Sequence, residues 1–104
     1  MTREETIIHD IKSLKKKLFP NEKAILFGSR ARNDAQPNSD WDMLVLLNKK
    51  EIEHTDFGRY AYPFVELGWQ FGEYISVKLY TEDEWLQRKN TLFFKNVQSE
   101  GIEL

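Results

Sequence analysis

Residues 28–47 read Gly-Ser-Arg-Ala-Arg-Asn-Asp-Ala-Gln-Pro-Asn-Ser-Asp-Trp-Asp-Met-Leu-Val-Leu-Leu, and the fold turns on this stretch. Just before it, Ala24-Ile25-Leu26-Phe27 is a short apolar run bounded by turn residues, the pattern of a buried strand. Gly28 ends that run and permits sharp backbone geometry there. Ser29 opens a short predicted helix through Arg30, Ala31 and Arg32. Asn33 to Ser39, with Pro37 inside, is predicted as loop. Asp40 to Leu47 is the second predicted strand.

The carboxylates carry the first chemical signal. Asp40 and Asp42 lie two apart in a predicted strand, so both project to one face, with Cα atoms roughly 6.6 Å apart. Side chains of that spacing can share a hard cation such as Mg²⁺, which prefers oxygen ligands and leaves positions for substrate phosphates. The plainer alternative is a pair of exposed acids at a strand end. Ser29 offers a hydroxyl and a backbone N–H at the first turn of a helix, where free N–H groups and the dipole favour phosphate. Its plainer alternative is an ordinary turn and cap. Arg30 and Arg32 either steady phosphates by charge-assisted hydrogen bonds or are solvated at the surface.

Outward from this segment the chain reads as one domain, residues 1–104. Residues ~3–18 form an amphipathic helix with Ile7, Ile8, Ile11, Leu14 and Leu18 on one face. Thr2 and Glu5 have capping-box spacing, and Pro20 closes the segment. Residues 51–60 are predicted as loop and a possible flap, followed by a helix over ~61–70 that ends at Gly72. Glu73 to Tyr80 alternates: Ile75, Val77 and Leu79 on one side, Tyr74, Ser76, Lys78 and Tyr80 on the other. Thr81 and Glu84 open a helix over ~82–98, docked by Trp85, Leu92, Phe93 and Val97. Ile102 to Leu104 can add a small edge strand. This order gives an α/β or α+β sandwich.

Composition narrows the function. The 104 residues hold no cysteine, which excludes disulfides, thiolate metal sites and a cysteine nucleophile. The polar, acidic start is not a signal peptide and no apolar run spans a bilayer, so a cytoplasmic protein without membrane contact is expected. A net charge of −2 argues against extensive nucleic-acid binding. Neither His9 nor His54 sits in metal-ligand spacing, and Ser29 lacks a histidine motif for nucleophilic catalysis. Trp41, Trp69 and Trp85 are expected in the core or against a partner.

Gly28-Ser29, ten residues, then Asp40-Trp41-Asp42 resembles the Gly-Ser-x10-Asp-x-Asp motif of the polymerase-β-like nucleotidyltransferase superfamily. The fuller run GSRARNDAQPNSDWDMLVLL resembles its minimal nucleotidyltransferase (MNT) branch. The resemblance implies a small mixed β-sheet flanked by helices. It implies Mg²⁺-dependent transfer of a nucleoside monophosphate, with ATP the expected substrate. Asp40 and Asp42 would be the catalytic and metal-binding pair. Gly28, Ser29, Arg30, Arg32 and Ser39 would form the nucleotide-binding set. MNT proteins often pair with a helical HEPN protein in toxin–antitoxin systems, and several AMPylate that partner, so a partner side chain is the expected acceptor. A homo-oligomer is the other way to complete a site in so short a chain.

The superfamily usually carries a third carboxylate on a later strand, facing the first two. Here the matching position is Ser76, and Lys78 follows on the same face. Glu73 and Glu66 are the acids able to substitute from neighbouring positions; their alternative is surface charge. Without a replacement, a nucleotide-binding or antitoxin module that no longer catalyses transfer is the competing expectation.

Overall fold

The computed structural model describes residues 1–104. The first helix, α1 (Arg3–Leu18), starts on a complete capping box: Thr2 Oγ1 accepts from Glu5 N–H, and Glu5 reaches back to Thr2 N–H. Ile7 and Ile11 are fully buried, with Ile8 and Leu14 packed beside them. Leu18, expected on that face, is exposed; Phe19 turns inward instead, because the chain leaves the helix there.

Strands β1 (Lys23–Phe27), β2 (Trp41–Leu47), β3 (Ile75–Thr81) and β4 (Ile102–Glu103) form one sheet in the order β3-β2-β1-β4. β1 runs antiparallel to β2 and to β4, while β2 and β3 are parallel. The sheet is therefore mixed and carries helices on both faces, as the sequence predicts. Between β1 and β2 lies the short helix α2 (Ser29–Arg32).

Side-chain alternation splits the core in two. Ala24, Leu26, Trp41, Met43, Val45, Leu47 and Ile75 meet α1 and Phe64 on one face. Ile25, Leu44 and Leu46 meet Trp85 and Val97 on the other. The second face is the smaller one, and it also carries Asp42, Ser76 and Lys78, since in-register neighbours share a face.

Residues 51–60 are not a free loop. Asp56 is buried, accepts from Glu53 N–H at 2.8 Å and from Lys49 Nζ at 2.9 Å, and Ile52 packs on the core. The backbone hydrogen bond, then the Lys49 contact, hold the Asp56 carboxyl below its ordinary pKa. A π-helical turn follows over Phe57–Ala61 and runs into α3 (Tyr62–Gln70), with Pro63 in its first turn, where no N–H is needed. The last expected helix is two: α4 (Glu82–Leu86) and α5 (Leu92–Glu100). Thr91 breaks them, its hydroxyl donating to Arg88 O and accepting from Phe94 N–H. A short polar residue that caps a helix competes with continuing one. Trp85, on α4, still docks on the sheet, with Phe93 and Phe94 of α5 against its ring. Leu92 does not dock; it is exposed.

Candidate active site

The bend after β1 is a glycine conformation. Gly28 has φ 77° and ψ −161°, a region essentially closed to residues with a Cβ. Its carbonyl accepts from Ala31 and Arg32 N–H, which starts α2, and Asn33 ends that helix in the left-handed conformation. Antiparallel pairing sets Phe27 opposite Asp42. As a result an ideal Cβ on Gly28 would lie 2.6 Å from Asp42 Oδ2. The Gly-Ser bend and the second acid of the motif are therefore in contact, and the two halves of the sequence pattern meet.

Asp42, the second residue of β2, is half-buried, and Asp40 is exposed just before the strand begins. Burial pushes the Asp42 pKa up, and the charge of Asp40 pushes it further. Lys78 and Arg32 pull it back in part, but the net direction is upward. No hydrogen-bond donor from the chain reaches the Asp42 carboxylate to settle it. The Ser29 hydroxyl is likewise free of protein partners beside it.

Across the parallel pair, Asp42 stands in register with Ser76, and Leu44 with Lys78. The position matched to the missing third acid is thus the immediate neighbour of Asp42, and it holds a hydroxyl. No third acid or histidine joins the two aspartates in a metal-sized group. Glu66 is exposed on α3.

Glu73 is the larger correction. It is neither surface charge nor a substitute acid. Its side chain is 8% exposed and pairs with Arg3 and, at 3.4 Å, with Arg30. It also accepts from Trp41 Nε1 at 3.0 Å. Burial pushes the Glu73 pKa up, yet the hydrogen bonds from Arg3 and Trp41 and the charges of Arg3 and Arg30 outweigh it, and the carboxyl sits below its ordinary value.

Arg30, expected at phosphates, belongs to the same network. It is buried, donates to Ser39 O at 3.0 Å and Pro37 O at 3.3 Å, pairs with Glu4 at 3.4 Å, and lies over the Trp41 ring at 4.8 Å. A guanidinium so occupied braces the 33–39 loop against β2 and does not face Asp42. Only its Nε lacks a partner. Ser39 is also engaged: its Oγ accepts from Gln36 N–H at 2.9 Å, closing the loop. Arg32 is the outward member of the pair, exposed and bound to Asp34 at 3.1 Å and Glu100 at 3.3 Å. Those hydrogen bonds, Asp34 first, raise its pKa. It borders a groove of about 200 Å³ whose walls include Phe27, Gly28, Asn96 and Glu100.

Residues 7–98 match the family model of the nucleotidyltransferase domain. The chain belongs to that family. Among curated proteins none matches its sequence. Among solved structures, one described as a crystal structure of a toxin–antitoxin with AMP-PNP matches at a TM-score of 0.62 and 18% identity, over 98% of this chain and 72% of that one. At that identity the likeness extends to the nucleotidyltransferase fold.

The residues that sequence reasoning missed are those of the Arg3–Arg30–Trp41–Glu73 network. A signal was present: Trp41 sits between two acids that face the other way, so alternation alone points it, and whatever it bonds, to the opposite side of the sheet.

Proposed function

We propose that this protein transfers a nucleoside monophosphate, AMP from ATP, to a side chain of a partner protein, in a toxin–antitoxin type pairing. The observation that carries the reading is the contact of Gly28 with Asp42, 2.6 Å from the position of an absent Cβ to Oδ2. It sets the phosphate-side bend against the acid pair in one place. A protein acceptor is what the resemblance to the MNT branch implies. The expected partner is a helical HEPN-type protein, by resemblance to the MNT branch. A second copy of this chain is the alternative way to complete the site.

In this reading Gly28 admits a phosphate close to the backbone, and the unpartnered Ser29 hydroxyl donates to it. Asp40 and Asp42 would hold Mg²⁺. The donor set fits such an ion: the two carboxylates are hard oxygen ligands, and the one kept above its ordinary pKa by burial and a like charge would gain from a bound cation. When bound, such an ion would supply charge neutralisation for the triphosphate. The acceptor oxygen bonds to the α-phosphorus, the bond from that phosphorus to the bridging oxygen breaks, pyrophosphate leaves, and the hydroxyl proton passes to solvent. Arg30 and Ser39 act by bracing the loop before Asp40 rather than by touching nucleotide.

Incubation with α-labelled ATP, Mg²⁺ and the product of a neighbouring HEPN-like gene tests this. Label should pass to the partner and be lost with Asp42→Ala; persistent labelling in that variant rejects the role of Asp42. A second reading is favoured by Ser76 standing in register with Asp42: a module that binds nucleotide and its partner without transfer. ATP binding by calorimetry with no pyrophosphate released would support the second reading over the first.

A further inference from the structure

Lys78 is the unspent cation of the site. Its register places it on the face of the sheet that carries Asp42 and Ser76, one pleat further along β3. At ordinary strand spacings its Cα lies roughly 8 Å from that of Asp42, within reach of a four-carbon side chain. The other basic residues nearby are engaged. Arg32 is held by Asp34 and Glu100, Arg30 by Glu4 and Glu73, and Arg88 lies over the Tyr80 ring and donates to Glu84 O. Lys78 enters no ion pair and no hydrogen bond. It is exposed, and its charge reaches the Asp42 carboxylate.

Charge counting gives this position a purpose. Two aspartates and a triphosphate bring several negative charges together. A third acid would draw in a second divalent ion; a serine in its place does not, and an ammonium beside it repels one. We infer that Lys78 binds the triphosphate of the nucleotide next to Asp42, a fixed ammonium standing where a further divalent ion would otherwise balance charge. The inference rests on the proposed nucleotide reading and deepens it by naming the group that contacts phosphate. An ammonium on a flexible stem is suited to phosphate as a point charge, with three rotatable donors.

The test is calorimetric titration of ATP and of inorganic tripolyphosphate at fixed Mg²⁺ into the wild-type protein, Lys78→Gln and Lys78→Arg. Lys78→Gln should weaken both ligands by about tenfold or more, and Lys78→Arg should stay within about threefold of wild type, because the charge and not the shape is required. The side chain is exposed, so melting temperatures should not move. Equal binding of both ligands by wild type and Lys78→Gln overturns the inference while leaving the nucleotide reading standing. Tripolyphosphate that fails to bind wild type, or an arginine that rescues nothing, overturns it too. Failure of wild type to bind ATP at all removes the nucleotide reading and the inference with it.

Discussion

Asp42 and Glu73 are two acids at the same end of one sheet, on opposite faces, and they are treated in opposite ways. Glu73 is buried among two guanidiniums and an indole N–H, and its pKa is lowered. Asp42 is half-buried beside another acid with no donor on its oxygens, and its pKa is raised. A folded chain tends to give a buried charge a partner, as Glu73 has. One left without a partner is held at a cost in stability, which makes it a candidate for a ligand-binding position. The contrast distinguishes an acid satisfied by the fold from one the fold leaves unsatisfied.

The contrast can be broken most severely at Glu73. Glu73→Ala leaves Arg30 buried with less compensation, and about 3–5 kcal/mol of stability should be lost in denaturant unfolding. A loss under about 1 kcal/mol would mean that Glu4 and the loop carbonyls suffice for Arg30. Next is Asp42→Asn, which should lower transfer by at least about a hundredfold while the melting temperature holds or rises, since a like-charge contact is removed. A variant that loses both activity and stability would show that Asp42, like Glu73, is held for the fold. Gly28→Ala comes third. The new Cβ meets Oδ2 and the backbone conformation is strained, so about 1–3 kcal/mol should go, with Asp42 displaced and transfer reduced.

The smallest effect is the pH profile, and its sign differs at the two sites. Glu73, lowered on folding, contributes stability above the ordinary glutamate pKa that is lost as pH falls through its folded value. Asp42, raised on folding, favours the folded state at low pH and withdraws that support as pH rises through its folded value. Glu73→Gln should therefore cost stability at neutral pH and little in strong acid, and Asp42→Asn should gain at neutral pH. Thermal melts across the acid range check both.

The elements built on period and caps were legible: α1 from its isoleucines and Thr2 box, β3 from strict alternation, β4 from three residues after Gly101. The π-helical turn was not, because Phe57 to Ala61 has apolar density without a period that separates it from loop. The break before α5 was hidden because Thr91 reads as one polar residue in a helical run until its hydroxyl is seen capping Phe94. At the site, the meeting of Gly28 with Asp42 follows from the motif, while the fate of Arg30 does not. Arginine at positions 30 and 32 looks equivalent in sequence; on a helix of four residues they point in different directions, one into the sheet and one out.

Trp41 has a consequence of its own. It is 1% exposed, bonded to Glu73 and covered by Arg30, and its peptide joins the two motif aspartates. Its indole lies on the face of the sheet opposite the Asp42 side chain. With Trp69 and Trp85 replaced by phenylalanine, its fluorescence becomes a single-site reporter: a shift in emission when nucleotide is added measures strain carried through one strand, uncontaminated by contact with the ligand.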